Sequence, residues 1–63
     1  MYSWYEVSIK GWKTAIRAKN EDEAKQLWCN FNGYLSELPD MTVQQIDDGD
    51  DNNAPAGYTS IIW

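Results

Sequence analysis

The residues best suited to chemistry are the carboxylates in the C-terminal part of the chain. Residues 26–63 carry six acidic residues and no Lys or Arg, so this segment has a charge of −6, whereas residues 1–25 carry five cations and four acids. A negative field of this kind repels phosphate backbones and attracts basic protein surfaces. We therefore expect the partner to be another protein with a basic surface, such as a nucleic-acid-binding one, and we expect no direct binding of nucleic acid. The carboxylates expected to make this contact are Glu37, Asp40, Asp47, Asp48, Asp50 and Asp51.

The acidic run from Asp47 to Asp51 also invites comparison with a calcium-binding loop. Such a loop needs a Gly at its sixth position and a bidentate Glu at its twelfth. Counted from Asp48, those positions hold Asn53 and Thr59. The match fails at the two strictest positions, so no dedicated metal site is predicted. Three interpretations remain: a solvated polar loop, weak calcium binding, and a surface that imitates a phosphate backbone toward a basic partner.

No catalytic residue is predicted. The chain has no histidine and one cysteine, which removes the commonest general base, the commonest zinc ligand and every histidine-dependent triad. Cys29 lies in a predicted helix with no activating motif nearby, and we interpret it as a small, half-buried apolar residue. The sequence has no Gly-rich phosphate loop and no nucleophilic Ser elbow. We expect neither enzymatic activity nor a bound cofactor.

Cysteine content and apolar runs bear on location. One cysteine cannot form an internal disulfide, which agrees with a reducing cytoplasm. No apolar run approaches the roughly 18 residues of a membrane span, and the N-terminus has no signal-peptide pattern. We expect a cytoplasmic protein of a bacterial host cell with no membrane partner, whose 63 residues form one domain.

Nine aromatic side chains form the second group of candidate functional residues. The core is expected to absorb Tyr5, Trp12, Trp28, Phe31 and Trp63. The other four would then be exposed and would anchor a partner, because Tyr and Trp are frequent hot spots at protein interfaces. These four residues are Tyr2, Trp4, Tyr34 and Tyr58. The alternative is that they cap the edge of a shallow core, as a domain of this size requires.

The elements that must position these groups begin with a hairpin. Residues 2–10 and 12–18 each alternate apolar and polar positions, which is the two-residue period of a half-buried strand. Gly11, after Lys10, supplies the turn, because glycine adopts positive φ without steric cost. Tyr5, Val7 and Ile9 are predicted to face the core. The opposite face would carry Tyr2, Trp4, Glu6, Lys13 and Arg17.

A helix is predicted to follow the hairpin. Asn20 is a favourable N-cap, and Glu23 lies three residues later, as in a capping box. The apolar stripe of this helix consists of Ala24, Leu27, Trp28 and Phe31. Gly33 favours the left-handed conformation that ends a helix. Beyond it, β-branched residues predict strands over residues 41–46 and 58–63, separated by the acidic loop.

The order β-β-α-β-β is typical of a two-layer α+β fold. We expect one helix to pack on one face of a three- or four-stranded, mostly antiparallel sheet. Because a single helix covers only one face of a sheet, the other face, with Tyr2 and Trp4, would stay wet or meet a partner.

The N-terminal segment resembles a known family. Residues 5–9 (YEVSI), 14–20 (TAIRAKN) and 21–24 (EDEA) are similar to the "YxVxI … A-x-[SN]-x-x-E-A" hairpin-to-helix signature of DpnD/PcfM-like small proteins of phages and other mobile elements. The resemblance covers about residues 1–30 and implies no catalytic residues. In size, acidity and lack of an active site, the chain also resembles phage-encoded anti-defence proteins, including anti-CRISPR inhibitors. Such inhibitors commonly occupy a basic nucleic-acid-binding surface.

These features predict a small non-enzymatic protein-binding module. It would be a phage or mobile-element inhibitor of a bacterial defence complex that acts by occluding a basic site. The alternative is a structural or accessory domain that forms a homodimer through its open sheet face or an edge strand.

Overall fold

The N-terminal hairpin forms the centre of a four-stranded sheet. The computed structural model describes residues 1–36, 38–48 and 54–62. Its elements are β1 (Ser3–Ile9), β2 (Trp12–Ala18), α1 (Glu21–Asn32), β3 (Thr42–Asp48) and β4 (Ser60–Ile62). The strand order is β3-β1-β2-β4, in which β1 runs antiparallel to β2 and β3, and β4 runs parallel to β2. The predicted α+β fold, with one helix on a mostly antiparallel sheet, is confirmed.

The turn between β1 and β2 requires two residues with positive φ. Lys10 has φ 50° and Gly11 has φ 81°, which is the backbone of a type I′ turn whose twist matches that of the paired strands. Glycine adopts this region readily, but a residue with a Cβ atom does so at a cost of roughly 1–2 kcal/mol. Lys10 is therefore a locally strained residue in the turn that connects the paired residues Ile9 and Trp12.

Helix α1 begins at the predicted cap. The Asn20 side chain accepts a hydrogen bond from the Glu23 backbone N–H at 2.8 Å, and the Glu23 carboxylate accepts one from the Lys19 backbone N–H at 3.4 Å. The first bond satisfies a donor that the first helical turn leaves without an intrahelical partner, and the second joins the residue before the cap to that turn. At the other end, Gly33 adopts the left-handed conformation with φ 81°. Both boundaries follow from local sequence.

Helix α1 and Tyr58 lie on opposite faces of the sheet. Strands β2, β3 and β4 point the same way, because β2 and β3 both run antiparallel to β1 and β4 runs parallel to β2. The β2-to-β3 connection moves across the sheet in one direction, and the β3-to-β4 connection moves back in the other. Because crossovers between parallel strands are almost always right-handed, two crossovers in opposite directions are expected on opposite faces. Helix α1 occupies one face and contacts β1, β2 and β3. On the other face, Tyr58 hydrogen-bonds to Glu6.

The face under α1 holds the main core. Its buried members are Tyr5, Val7, Ile16, Ala18, Ala24, Trp28, Cys29 and Met41. The core positions predicted for Tyr5, Val7 and Trp28 are confirmed, and Ile9 is partly buried against them. Cys29, interpreted from the sequence as a half-buried apolar residue, is buried.

The face opposite α1 is also covered. Trp4 and Ala15 belong to this face, because they alternate with the core residues of β1 and β2, and both have 0% of their surface exposed. The prediction that Trp4 is exposed on an open sheet face is therefore wrong. It counted only α1 as a cover of the sheet.

Two aromatic residues assigned to the core are exposed instead. Trp12 is 52% exposed and Phe31 is 71% exposed. Trp12 directly follows the hairpin turn, and Phe31 lies in the last turn of α1, so both occupy positions where their elements end. Trp63, the remaining predicted core aromatic, lies outside the described residues.

The last two strands differ in extent from the prediction. Strand β3 continues past Ile46, so Asp47 and Asp48 belong to the strand rather than to the acidic loop. The pairing of β1 with β3 shifts between Trp4 and Tyr5, and this bulge accommodates one extra residue of β3. Strand β4 begins at Ser60 rather than at the predicted residue 58, and its described part is Ser60–Ile62.

Candidate partner-binding surfaces

The exposed carboxylates predicted to bind a partner lie near the two ends of β3. Asp40 is exposed in the turn before the strand, and Asp47 is exposed near the end of the strand. At about 3.3 Å per extended residue, the strand from Thr42 to Asp47 spans roughly 16 Å, and Asp40 precedes Thr42 by two residues. Both therefore flank the strand rather than forming one cluster. The predicted residues Glu37, Asp50 and Asp51, and the side chain of Asp48, lie outside the described residues.

The spacing of the carboxylates limits their chemistry. Asp40 and Asp47 cannot ligate one ion, because calcium ligands lie within about 2.6 Å of the metal. Across the described ranges, no group of three or more His, Cys, Asp or Glu residues is placed to hold a metal. What the arrangement does provide is negative charge at both ends of an edge strand.

The main chain of β3 has an outward-facing edge. In the two-residue hairpin, Ile9 and Trp12 form the hydrogen-bonded pair that closes the turn. Because the direction of main-chain groups alternates along a strand, the even-numbered residues of β1 face β3. Their partners include Thr42 and Gln44. The main-chain N–H and C=O groups of Val43 and Gln45 must then point away from β1, toward the outside of the sheet.

The side chains of β3 reinforce its contact with β1. The Gln44 amide donates to the Glu6 carboxylate at 3.4 Å, and the Gln45 amide donates to the Ser3 hydroxyl at 3.3 Å. The Thr42 hydroxyl donates to the Ser8 carbonyl at 3.4 Å. These contacts hold the strand in place on its inner side and leave the outer main-chain groups uninvolved among the described residues.

Tyr2 is exposed, as predicted, but its ring contacts two cations of its own chain. The Arg17 guanidinium carbon lies 5.0 Å from the ring centroid, and the Lys19 ammonium nitrogen lies 5.8 Å from it. Both distances are within the range of cation–π attraction. Arg17 belongs to β2, so the positive charge that contacts Tyr2 lies on the side of the sheet away from the acidic β3 edge.

Tyr58 is half-buried, and its hydroxyl donates a hydrogen bond to Glu6. Burial, this hydrogen bond and the negative charge of Glu6 together raise the pKa of Tyr58 above its ordinary value of 10.0. Glu6 also accepts the Gln44 bond at 3.4 Å. Tyr58 thus joins the returning chain to the middle of the sheet, a structural contact that the sequence did not predict.

Tyr34 is exposed, as predicted, and belongs to an aromatic group that includes Trp12. Its ring stacks on Trp28 with centroids 5.6 Å apart and an interplanar angle of 5°. Trp12, Trp28 and Tyr34 line a cavity of about 290 Å³ with Ile9 and Leu38. Sequence reasoning placed Trp12 in the core, although its position beside a tight turn was a signal for exposure. The four predicted anchor residues therefore do not form one patch.

No significant match relates the chain to a family model, to a curated protein or to a solved structure. The resemblance to DpnD/PcfM-like and anti-CRISPR-like proteins therefore stays a prediction. Among the described residues, no helix is long and apolar enough to span a membrane. The interpretation of the surfaces depends on their geometry and charge.

Proposed function

We propose that this chain is a non-enzymatic protein-binding module that occludes a basic, nucleic-acid-binding surface of its partner. The observation that carries this proposal is the pair of exposed carboxylates, Asp40 and Asp47, that flank the β3 edge of a segment without any Lys or Arg. A bacterial defence complex is the proposed partner, on the basis of the resemblance of residues 1–30 to small mobile-element proteins.

The separation of charge across the sheet supports this mode of binding. The β2 side carries Lys13 and Arg17, whereas β3 carries acids and no cation. Over a sheet of four strands about 4.8 Å apart, the two sides are separated by about one Debye length at physiological salt. A basic partner is therefore attracted to the β3 side and oriented by the cations on the other side.

The same structure weakens the alternative of a homodimer. An open sheet face is not present, because Trp4 and Ala15 are fully buried on the face opposite α1. Pairing two β3 edges about a twofold axis would place Asp40 of one copy beside Asp47 of the other, which is a repulsive arrangement. We expect a monomer at micromolar concentration, which sedimentation velocity tests directly.

The experiment that tests occlusion is competition with nucleic acid. Purified nucleic-acid-binding complexes of bacterial defence systems are titrated with the fluorescently labelled chain, with and without their bound nucleic acid. We expect that the partner complex binds the chain when it holds no nucleic acid and releases the chain when nucleic acid is added. A complex that holds both at full occupancy would show that the chain binds elsewhere.

A charge variant with a matched control tests the role of the acids. Asp40→Asn combined with Asp47→Asn removes two negative charges at β3, and Glu21→Gln combined with Asp22→Asn removes two at the start of α1. Exposed charge pairs contribute about 0.2–1 kcal/mol each, so the β3 variant should bind between about 2-fold and 30-fold more weakly and with a smaller salt dependence. Equal losses in both variants would point to net charge alone.

A further inference from the structure

We infer that the outer edge of β3 binds an extended segment of the partner as an additional strand, and that this segment carries cations at both ends. This inference rests on the proposed function for the sign of the partner's charge. It adds the mode of recognition, which is main-chain pairing at a defined edge.

The edge has the main-chain groups that strand addition requires. The N–H and C=O groups of Val43 and Gln45 point outward, and β1 is the only strand beside β3 in the described part of the chain. Two residues in an edge strand therefore offer four hydrogen-bonding groups at the spacing of an antiparallel or parallel ladder. Peptide-binding domains that add a strand use such an edge.

The edge also lacks the usual protection against pairing. Natural edge strands are commonly blocked by Lys, by Pro or by a bulge. Residues 42–46 contain no Lys and no Pro, and the register is regular from Ser8–Thr42 to Tyr5–Gln45 before it shifts. The regular stretch of β3 is therefore available for pairing, and the bulge limits it on one side.

The flanking acids determine which segment fits. Asp40 precedes β3 and Asp47 lies roughly 16 Å beyond Thr42 along the strand, so an added strand meets negative charge at both of its ends. Lys or Arg residues about seven positions apart would lie opposite these carboxylates. Between them, β-branched residues suit the pleated surface of the edge.

A second copy of this chain fits less well than a basic segment. In an antiparallel pair of two β3 strands, the outward groups of Val43 and Gln45 in one copy bond to those in the other. This pairing brings Asp40 of each copy beside Asp47 of the other. The positively charged segments of this chain belong to the hairpin and to α1. Because these segments are folded into β1, β2 and α1, they are not available to add a strand to a second copy. The occupant is therefore a segment of another protein.

The test uses a synthetic peptide of alternating Thr and Val residues with a pair of Lys residues at each end. Titration of this peptide into the isotopically labelled chain is followed by NMR. We expect the amide signals of Val43 and Gln45 to shift and their hydrogen exchange to slow, with smaller changes at Gln44. Absence of binding at millimolar peptide, or shifts confined to side-chain signals of Asp40 and Asp47, overturns the inference.

A pair of peptides separates strand pairing from charge attraction. One is N-methylated on every residue between the Lys pairs and the other is unmethylated, so the two have the same charge. Because an added strand must donate N–H groups to the edge, the methylated peptide should bind at least about tenfold more weakly than the unmethylated one. Equal affinities overturn strand addition while leaving the proposed function standing.

A backbone variant of the chain gives an independent measurement. Gln45→Pro removes an outward N–H that the β1 ladder does not use, and proline is compatible with such edge positions. Gln45→Ala is the matched control, because it removes the side chain and keeps the N–H. We expect Gln45→Ala to bind the peptide as the parent does and Gln45→Pro to bind about tenfold more weakly. Circular dichroism tests whether both variants fold. If Gln45→Pro does not fold, the N-methylated peptide decides whether the partner segment pairs with the β3 edge.

Discussion

Trp4 and Trp12 allow a direct test of the second covered face, because their sequence patterns predict the opposite of their observed burial. Trp4 is 0% exposed and Trp12 is 52% exposed. Truncation of a buried Trp to Ala costs about 3–5 kcal/mol, and a leucine side chain retains about half of the apolar contacts. Trp4→Leu should therefore lower the free energy of unfolding by about 2 kcal/mol. Trp12→Leu should lower it by less than about 1 kcal/mol, since half of that side chain is already in water.

Urea denaturation followed by circular dichroism measures this difference. A chain of 63 residues is expected to have a total stability of about 3–9 kcal/mol, so a loss of about 2 kcal/mol leaves a folded protein with a clear transition. With a slope near 1 kcal/mol per molar urea, the midpoint of Trp4→Leu should fall by about 2 M relative to the parent. Equal midpoints for the two variants, or a lower midpoint for Trp12→Leu, would refute the burial of Trp4.

Three further predictions concern the turn, the cap and the crossover contact. Lys10→Asn, which places an Asn-Gly pair in the type I′ turn, should raise the free energy of unfolding by up to about 1 kcal/mol in urea denaturation, and a decrease would contradict the strain assigned to Lys10. Asn20→Ala should lower the thermal midpoint through a loss of about 1 kcal/mol, whereas an unchanged midpoint would show that the 2.8 Å cap bond contributes nothing. Because the pKa of Tyr58 is raised above 10.0, its contribution to stability is full below about pH 10 and is lost as the pH rises through the folded-state pKa. The stability difference between the parent and Tyr58→Phe should therefore shrink as the pH rises above about 10, and a difference that stays constant would contradict the raised pKa of Tyr58.

Local features of this fold could be predicted from the sequence because each depends on a few neighbouring residues. The helix start needs only the side chain of Asn20 and the backbone N–H of Glu23, three residues apart. Gly11 and Gly33 end their elements because each has positive φ. The alternation of β1 and β2 likewise predicts which residues share a face, and the register of Tyr5 with Ile16 agrees with it.

The strand order could not be predicted from those local patterns. Residues of β3 and β4 join opposite edges of the hairpin, and nothing in their composition distinguishes one edge from the other. The burial of Trp4 depends on that order, since a return from β3 to β4 must cross the whole sheet. Once the order is known, the handedness rule for crossovers predicts that the face carrying Trp4 is covered.

The candidate site was only partly predictable for the same reason. The sign of its charge follows from composition, and Asp40 and Asp47 are exposed as a polar surface requires. Their arrangement at two ends of an edge strand depends on β3 extending through Asp47, which in turn depends on the bulge beside Trp4. A run of acids in the sequence therefore became two separated charges in the structure.

The strand order also decides where a partner can pair with the main chain. Among the described residues, β1 and β2 are paired on both sides, so unused main-chain groups of the sheet remain only at the outer edges of β3 and β4. In the described part of the chain, β4 has three residues and lies beside β2, which carries Lys13 and Arg17. Strand β3 has seven residues, follows Asp40 and ends in Asp47 and Asp48. A basic segment thus finds longer pairing and favourable charge at β3, and the same charges oppose a second copy of the chain. With Trp4 buried, the partner-binding role expected of an open sheet face passes, in the proposed mode of binding, to the β3 edge. Among the described residues, this is the longer edge strand and the one flanked by acids.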